Sequence, residues 1–370
     1  MWKRLMCFLT LALCCAAPHV EAQETASPGG QARGMVVIDA DTGRVLMEKD
    51  STQRLPMAST TKIMSALLTL EQPNLDEPFT VDPKAIRVEG SSMGLREGDT
   101  VTLRALAYGM LLPSGNDAAN AAAVRIAGTK EAFVAMMNER AEEMGLENTH
   151  FATPSGLDSE EHYSSAKDMA LLAREALSNE AFAEICCLAS ARISFGNPPY
   201  DRWMTNHNKL LKYYPGVYGV KTGFTERAGR CLVSAAEKNG IRLVIVTLHC
   251  PDDWNVHMKL YDACFAKARL ETVPLPEISL PAAGAGRVPC QWDRDTITLL
   301  EGETIETAVT AQPFLFAPVR KGRIVGKALV KINGTVAAEC HLAAAQNMTL
   351  PEPEPNWLER LVSQINRKKT

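Results

Sequence analysis

The spacing of apolar positions along the chain follows two periods, and each period predicts a different kind of element. From residue 60 to about residue 190 the apolar positions recur at helical spacing, most firmly over residues 103–112, 130–144 and 165–177. Short apolar runs on either side of this region predict strands, which cover residues 35–40, 44–48, 231–235 and 243–247. A helix is predicted over residues 253–268. The pattern indicates an α+β fold, with strands from both ends of the sequence around a helical insertion.

The pattern of apolar positions changes after the run Pro274-Leu275-Pro276. Beyond it the apolar runs are short and strand-like, over residues 296–300, 324–332 and 336–342. We expect a catalytic part over residues 34–275 and a small, sandwich-like all-β domain over residues 276–348.

The N-terminus has the three-part pattern of an export signal. Lys3 and Arg4 precede an apolar stretch over residues 6–17, and Val20-Glu21-Ala22 provides a small-residue cleavage site. The alternative is a membrane anchor, but the apolar stretch is shorter than the roughly 20 residues that span a bilayer. We expect residues 1–22 to be removed after export, residues 23–33 to form a flexible leader, and the mature protein to lie in the cell envelope, peripheral on the outer face of the cytoplasmic membrane.

The C-terminal segment, residues 349–370, is predicted to be a linker and an amphipathic helix. On a helical wheel its apolar residues fall within an arc of roughly 140°, and these are Trp357, Leu358, Leu361, Val362 and Ile365. Arg360, Ser363 and Arg367 lie opposite, and the chain ends in a basic run. This composition favours an anionic membrane surface as a partner. The alternative is a helix that packs on its own protein.

Charge and cysteine content exclude several classes of protein. The 370-residue chain has a net charge of −4, so it has no broad basic surface for nucleic acid. Seven cysteines follow the export signal, an odd number without a CxxC pair, which indicates neither a zinc site nor a regular disulfide framework. His249, Cys250, Asp252, Asp253 and His257 lie close in sequence but lack a firm metal-ligand spacing. We therefore predict no metal and no cofactor.

The tetrad Ser59-Thr60-Thr61-Lys62 is the first candidate for chemistry. Its serine and lysine are three residues apart and would share one face of a helix. The apolar run that follows, residues 63–70, predicts that this helix is buried. Burial lowers the pKa of a lysine, so the Lys62 amine could accept a proton from the Ser59 hydroxyl.

Two further motifs follow in order. Ser114-Gly115-Asn116 lies on the predicted connection between helices over residues 103–112 and 117–126, and Lys221-Thr222-Gly223 lies at a predicted strand. Either motif alone is more typical of a turn than of a site. Together with the tetrad they match the S-x-x-K, S-x-N and K-T-G signature of penicillin-binding proteins and class A β-lactamases.

On these motifs the chain resembles the low-molecular-mass penicillin-binding proteins, specifically the serine-type D-alanyl-D-alanine carboxypeptidases. Three flanking stretches extend the resemblance over residues 34–275, and these are residues 37–43, 149–158 and 221–225. The resemblance implies a sheet packed on helices, with the site at the junction with the helical subdomain. It also implies that the C-terminal β domain holds the catalytic part away from the membrane or mediates contacts.

The resemblance implies a serine hydrolase that removes the terminal D-alanine from peptidoglycan stem peptides ending in D-Ala-D-Ala, and that β-lactam antibiotics inhibit. Ser59 would attack the carbonyl of the penultimate D-alanine to form an acyl-enzyme, with Lys62 as its base. Lys221 would supply positive field, Ser114 would pass the proton to the leaving amine, and Asn116 would orient Lys62 and the substrate.

By the same resemblance the backbone amides of Ser59 and Phe224 would form the oxyanion hole. Lys221, Thr222 and Gly223 would bind substrate, with the Thr222 hydroxyl on the terminal carboxylate. Some relatives add an arginine after the following strand, but here that stretch reads Leu248-His249-Cys250-Pro251.

Several alternatives remain. A histidine base is the usual rival in serine hydrolases, but His150, His207 and His249 are better interpreted as structural or substrate-side. A D,D-endopeptidase that cuts peptidoglycan cross-links would share the machinery. A class A β-lactamase would need a dedicated glutamate for deacylation, and residues 154–158 offer none. A non-catalytic wall-binding protein would not need Ser59, Lys62 and Lys221.

Overall fold

The computed structural model describes residues 29–350 and Trp357. Within these residues there are eight helices: α1 (Lys62–Leu70), α2 (Leu103–Leu111), α3 (Asn116–Ala127), α4 (Lys130–Glu143), α5 (Ala166–Ser178), α6 (Glu180–Cys186), α7 (Leu210–Tyr213) and α8 (Asp253–Lys267). The predicted export signal lies outside the described residues, as do most of the predicted leader and all of the C-terminal helix except Trp357.

Seventeen strands accompany these helices in the described part of the chain. They are β1 (Gly34–Asp39), β2 (Val45–Lys49), β3 (Phe79–Thr80), β4 (Thr100–Val101), β5 (Ser190–Gly196), β6 (Pro199–Thr205), β7 (Val217–Thr225), β8 (Gly229–Lys238), β9 (Ile241–Leu248), β10 (Ala268–Thr272), β11 (Ser279–Ala283), β12 (Gly286–Trp292), β13 (Thr296–Leu300), β14 (Ile305–Ala311), β15 (Leu315–Phe316), β16 (Ile324–Ile332) and β17 (Thr335–Ala344).

A five-stranded antiparallel sheet forms the centre of the catalytic part, in the order β2-β1-β9-β8-β7. Strand β1 pairs with β9 so that Gly34 lies opposite Leu248. The first hairpin is therefore completed by strands from the far end of the catalytic part, as the sequence predicts. Strand β7 forms one edge of the sheet, and this edge carries the Lys221-Thr222-Gly223 motif.

Both faces of this sheet are covered, which explains why β1 is apolar over residues 35–38. Val36 and Ile38 pack into the cluster that contains the helices of the insertion, whereas Met35 and Val37 pack into a second cluster with α8. Successive side chains of a strand point to opposite faces, so all six residues of β1 are buried. The catalytic part therefore has three layers: the helices of the insertion, the five-stranded sheet, and helix α8 on the other face.

Helix α1 runs through the middle of the helical layer. All nine of its residues are buried, including Lys62. Helices α2, α3, α4, α5 and α6 pack around it, and strand β7 also contacts it. The prediction of a buried helix from the apolar run over residues 63–70 is confirmed.

The C-terminal region is all-β, as predicted. A six-stranded sheet has the order β14-β16-β17-β12-β11-β15, and β10 pairs with β13 beside it. Two small apolar clusters fill this region, one around Val288 and Leu342 and one around Ile297 and Val330. The separation of residues 276–348 as an independent domain stays a prediction.

One ion pair joins the C-terminal region to the catalytic part. The Arg44 guanidinium donates to both carboxylate oxygens of Glu303, at 2.6 and 3.0 Å, and to the Thr298 carbonyl oxygen at 2.9 Å. Both side chains are only about one-sixth exposed, at 16% and 15%. The two regions are thus connected by a directional, largely buried contact.

Two features differ from the sequence predictions. Asn116 begins α3 instead of lying on the connection before it, because Gly115 takes the N-cap position and the Asp117 carboxylate accepts a hydrogen bond from the Ala118 amide in the first turn at 2.9 Å. The hairpin of β5 and β6 is not predicted at all. Strand β5 does alternate, with Ala191, Ile193 and Phe195 between polar residues, and this is a signal that the prediction missed. Strand β6 is mostly exposed and has no such alternation.

The seven cysteines after the predicted signal are free thiols in the structure. Five of them are buried, Cys290 is partly buried and Cys187 is exposed. Burial raises the pKa of Cys231 to about 12 and that of Cys264 to about 11, so these thiols stay protonated near neutral pH. They behave as small apolar residues of the core.

Candidate active site

Ser59 lies on a tight turn at the head of the buried helix. The turn is a 3₁₀ segment, Ala58–Thr61, that continues directly into α1. Ala58 has a φ of 48°, in the left-handed region that residues with a side chain rarely adopt. A side chain at Gly156 would collide with the Ala58 carbonyl group, so Gly156 allows this close packing. The result is that Ser59 faces a cleft of about 610 Å³.

The Lys62 amine lies beside the Ser59 hydroxyl. Its Nζ is 2.9 Å from Ser59 Oγ, 2.6 Å from Asn116 Oδ1 and 2.6 Å from the Ser155 carbonyl oxygen. A neutral amine can donate its two hydrogens to Asn116 and Ser155 and keep its lone pair for the Ser59 hydroxyl. The geometry therefore suits proton transfer from Ser59 to Lys62.

The environment of Lys62 disfavours its charged form. Complete burial lowers the pKa of its amine well below the usual value, and the nearby Lys221 lowers it further, while Asp117 acts in the opposite direction. Burial thus favours the neutral amine of Lys62, which is the form that can act as a base.

Lys221 and Ser114 form a second amine and hydroxyl pair on the other side of the cleft. Lys221 Nζ donates to Ser114 Oγ at 2.9 Å and to the Thr222 carbonyl oxygen at 2.8 Å. Burial lowers the pKa of Lys221 to about 7. Ser114 has a φ of 63°, which turns the chain sharply before α3. Two buried lysines and two serines therefore converge on one cleft.

Asp117 holds the loop that borders Ser114 and is a residue that sequence reasoning missed. It is buried and accepts hydrogen bonds from the Ser92 hydroxyl at 2.6 Å and from the amide of Met93 at 2.9 Å. It also accepts from the amides of Gly94 and Leu95, both at 3.0 Å. An acidic residue in the first turn of a helix was the available signal, but nothing in the sequence indicated which loop it would hold.

Strand β7 packs closely against the Ser59 turn. A Cβ at Gly223 would lie 3.0 Å from the Met57 carbonyl oxygen and 3.1 Å from the Ser59 amide nitrogen. Only glycine permits this approach without displacement of the strand. Thr222, Gly223 and Phe224 all border the cleft that Ser59 faces. The motif on β7 is thereby brought against the motif on α1.

Arg230 forms part of the same cleft and was also missed. It lies on β8, directly opposite Phe224 in the register of the β7–β8 hairpin. Its Nε and Nη2 donate to Asp253 Oδ1 at 3.0 and 2.7 Å, and its guanidinium lies 5.3 Å from the centre of the Trp254 ring. Asp253 is 2% exposed. The hairpin register was the signal that could have found Arg230, because it places residue 230 beside the Lys221-Thr222-Gly223 motif.

The histidines have other partners. His207 borders the cleft, and burial together with Lys221 and Lys62 lowers its pKa. His150 and His249 contact the carbonyl oxygens of Glu161 and Ala228 through Nδ1, at 2.6 and 3.0 Å. Within residues 29–350, no histidine is hydrogen-bonded to Ser59. Lysine, not histidine, is the basic group next to the candidate nucleophile.

No group of three or more His, Cys, Asp and Glu side chains in the described residues could hold a metal ion. His257, one of the candidate ligands in the sequence, is instead buried between the hydroxyls of Ser234 and Thr247, at 2.7 and 2.9 Å. Burial lowers its pKa to about 3, so it remains neutral. The absence of a metal and of a cofactor stays a prediction.

Several known proteins are similar to this chain in sequence and in fold. Residues 21–252 match the Peptidase_S11 family, described as D-alanyl-D-alanine carboxypeptidase. The D-alanyl-D-alanine carboxypeptidase DacF of Bacillus subtilis is 34% identical over 347 residues, which cover 89% of this chain and 88% of the relative. DacC of Escherichia coli is 32% identical over 361 residues, which cover 88% of this chain and 86% of the relative.

Two solved structures show how far the likeness extends in three dimensions. Penicillin-binding protein 5 of Haemophilus influenzae has a TM-score of 0.68 at 28% identity, over 86% of this chain and 97% of its own. The Streptomyces K15 DD-transpeptidase has a TM-score of 0.61 at 31% identity, over 64% of this chain and 97% of its own. The first likeness includes the C-terminal region and confirms the predicted fold class.

Proposed function

This chain belongs to the D-alanyl-D-alanine carboxypeptidase family of serine peptidases, and we propose that it removes the terminal D-alanine from peptidoglycan stem peptides. The observation that carries this proposal is the buried Lys62 amine, 2.9 Å from the Ser59 hydroxyl. The second pair, Lys221 and Ser114, supports it because acyl transfer needs a proton donor for the leaving amine as well as a base for the nucleophile.

In the proposed acylation step, the Ser59 oxygen attacks the carbonyl carbon of the penultimate D-alanine. Neutral Lys62 takes the hydroxyl proton as the new C–O bond forms. The amides of Ser59 and Phe224 stabilise the negative charge that develops on the carbonyl oxygen. This role is supported by the packing of Gly223 against the Ser59 amide.

Collapse of the tetrahedral intermediate breaks the C–N bond of the scissile peptide. Ser114 gives its proton to the leaving amine, and Lys221, 2.9 Å away, restores it. D-Alanine leaves and an ester remains on Ser59. Proton exchange with water in the cleft returns Lys62 to its neutral form and Lys221 to its protonated form. Water then attacks the ester, Lys62 accepts its proton, and that proton returns to the Ser59 oxygen as the shortened peptide departs.

Recognition of the terminal carboxylate is assigned to the wall of the cleft formed by β7 and β8. The Thr222 hydroxyl and the charge of Lys221 remain proposed partners, and we add the Arg230 guanidinium. Two of its N–H groups are committed to Asp253, which leaves Nη1 for a carboxylate oxygen. A charge-assisted hydrogen bond of this kind would replace the arginine that is missing from residues 248–251.

β-Lactams are proposed inhibitors because they present a strained amide to the same nucleophile. Fast hydrolysis of the resulting ester, as in class A β-lactamases, would need a dedicated acid or base. Residues 154–158 contain no glutamate, and the Asp158 carboxylate accepts a hydrogen bond from the Thr225 hydroxyl at 2.9 Å. These contacts support a long-lived penicilloyl-enzyme.

The proposal is tested by intact-protein mass spectrometry after addition of benzylpenicillin, with peptide mapping of the adduct. We expect one persistent adduct on Ser59, none in Ser59→Ala, and the wild-type adduct in the control Ser178→Ala, whose serine is exposed at the end of α5. D-Alanine release without cleavage of dimeric muropeptides separates a carboxypeptidase from an endopeptidase. Rapid penicillin turnover would indicate a β-lactamase, and full activity of Ser59→Ala would contradict the serine mechanism.

We further infer that the protein is exported and lies on the outer face of the cytoplasmic membrane. The sequence pattern of residues 1–22 and the amphipathic pattern of residues 357–365 support this. Among the described residues, none of the helices is long and apolar enough to cross a bilayer. Attachment would then depend on the membrane surface.

A further inference from the structure

We propose that the C-terminal β region carries its own membrane-binding surface, which docks on anionic lipid independently of the C-terminal helix. This inference uses the proposed export of the protein but not its proposed catalytic activity. The surface, called here the β-tip, consists of the apolar residues Phe314, Phe316 and Leu350 and the basic residues Arg320, Lys321 and Arg323.

The apolar part of the β-tip is exposed. Phe314, Phe316 and Leu350 are 49%, 68% and 56% exposed, whereas Leu315 between the two phenylalanines is buried. Alternation along this short strand therefore turns two aromatic rings toward the outside. The rings contact each other edge to face, with centroids 5.2 Å apart. Clustered exposed aromatics of this kind mark an interaction surface.

Backbone pairing brings Leu350 to the same place. Phe316 pairs with Ala283 at the end of β11, and the next residue, Gly284, lies against the Leu350 side chain. Phe316 and Leu350 therefore flank the turn between β11 and β12. The apolar residues form one surface although they are far apart in sequence.

The basic part is tied to the same end of the region. The amides of Val319 and Met348 each donate to the other residue's carbonyl oxygen, both at 2.8 Å, and the Lys321 amide donates to Asn347 Oδ1 at 2.8 Å. The basic loop, residues 320–323, is thereby fixed beside the residues that lead to Leu350. Arg320, Lys321 and Arg323 are all exposed.

Charge favours an anionic partner for this surface. Residues 307–338 contain five lysines and arginines and no aspartate or glutamate, although the whole chain has a net charge of −4. Basic residues near a membrane are attracted by anionic headgroups, and aromatic rings favour the interface between headgroups and acyl chains. The combination matches an anionic bilayer better than it matches an acidic protein, which would leave the phenylalanines in water.

The position of the β-tip supports the same partner. Leu350 lies seven positions before Trp357, where the predicted amphipathic helix with a basic end begins. Two membrane contacts joined by a short segment bind more tightly than either contact alone, because the second binds at high effective concentration. The β-tip would thus strengthen an attachment that five apolar residues of the tail make only weakly.

The test is co-sedimentation of the full-length exported protein with phosphatidylglycerol-containing vesicles and with pure phosphatidylcholine vesicles. We expect Phe314→Ser/Phe316→Ser to lower partitioning onto the anionic vesicles about tenfold. We expect the charge reversal Arg320→Glu/Lys321→Glu/Arg323→Glu to lower it at least as much, with the difference shrinking as salt is added.

Two control variants carry the same kinds of substitution at exposed positions outside the β-tip. Trp203→Ser/Val336→Ser removes apolar side chains that are 73% and 52% exposed, and Lys84→Glu/Arg87→Glu/Lys130→Glu reverses three exposed charges outside the β-tip. Both should bind as the wild type does. Release of D-alanine from a soluble peptide verifies folding of every variant and, because it needs no membrane, separates failure of this proposal from failure of the proposed function.

A chain that lacks residues 355–370 provides the last comparison. Residual binding to anionic vesicles that the Phe314→Ser/Phe316→Ser change removes would support an independent β-tip. Wild-type binding by both β-tip variants would overturn the proposal. It would also be overturned if the shortened chain lost all binding, or if the β-tip variants bound vesicles more tightly, as expected if the phenylalanines normally hold the tail.

Discussion

At the scale of single residues, the site depends on how burial lowers the pKa of two lysines. Each charged ammonium would lose its hydration in this cleft, and the neutral form avoids that cost. The same arrangement that makes Lys62 a base therefore carries a cost in stability whenever the lysines are protonated in the folded state. This cost can be measured.

We predict that Lys221 makes folding stability depend on pH in a defined direction. The folded pKa of Lys221 is about 7, against 10.5 in the unfolded chain. Between these values the unfolded state binds more protons, so the contribution of Lys221 to stability becomes more favourable as pH rises from 7 to 10.5. Over the full window this amounts to at most about 5 kcal/mol.

Urea unfolding of the wild type and of Lys221→Met at pH 7, 8.5 and 10 measures this effect. Taking the difference between the two proteins removes the titration of groups that do not interact with Lys221. The free energy of unfolding of the wild type minus that of Lys221→Met should increase as pH rises. A difference that is constant with pH would show that Lys221 is charged in the folded protein throughout.

A second prediction at this scale concerns Arg230. Replacement by glutamine should lower kcat/KM for a peptide ending in D-Ala-D-Ala by about 10- to 100-fold, the range expected for a lost charge-assisted hydrogen bond. Arg230→Lys should recover part of this loss. The same peptide with an amidated C-terminus should show little difference between wild type and Arg230→Gln.

The control for this experiment is Arg227→Gln, which removes an exposed arginine from the turn of the same hairpin. It should leave kcat/KM unchanged. An equal loss by Arg230→Gln on the acid and the amide substrates would mean that Arg230 supports the cleft without contacting the carboxylate.

At the scale of elements, strand β7 must approach the Ser59 turn closely enough for both to act on one carbonyl group. We predict that Gly223→Ala slows acylation by benzylpenicillin at least tenfold. The added methyl group would press on the Met57 carbonyl and the Ser59 amide, at 3.0 and 3.1 Å, and a displacement of a few tenths of an ångström misplaces the oxyanion donors. Stopped-flow or gel-based acylation rates measure this.

Val217→Ala at the start of the same strand is the control, because it alters β7 away from the cleft. It should acylate at the wild-type rate, and thermal unfolding should show that both variants are folded. If Gly223→Ala acylates normally, the close packing at Gly223 has no part in catalysis.

The sequence predicted elements well where apolar spacing was regular. Helix α1 and the strands β1, β8 and β9 have clear patterns because they are buried on most sides. The hairpin of β5 and β6 was missed although β5 alternates polar and apolar residues, because β6 is mostly exposed and has no matching pattern. Ser59, Lys62 and Lys221 were found through motifs, whereas Asp117 and Arg230 depend on which loop or strand lies next to them, and only tertiary structure determines that.

At the scale of the whole molecule, the pair of Arg44 and Glu303 joins the catalytic part to the C-terminal region. We predict that Glu303→Ala destabilises the protein by about 3 kcal/mol, because it leaves a largely buried guanidinium without its partner. The double change Arg44→Met/Glu303→Met should cost much less, since it leaves no unpaired charge.

Urea denaturation of the wild type, Arg44→Met, Glu303→Met and Arg44→Met/Glu303→Met gives the coupling between the two residues. The exposed pair of Arg87 and Glu97, with side chains 74% and 71% exposed, is the matched control and should show almost no coupling. Equal stability of Glu303→Ala and wild type would show that this contact does not hold the two regions together.

The pairing of β1 with β9 has a consequence for the order of events during synthesis. Gly34 meets Leu248 in that pairing, and Lys221 meets Ser114 across 107 residues. The nucleophile at residue 59 therefore emerges from the ribosome long before the strands that complete its surroundings. Such distant contacts also form slowly. The unfinished chain is consequently inert toward peptide bonds and toward penicillin, and its reactivity begins only when nearly the whole catalytic part has been made and folded.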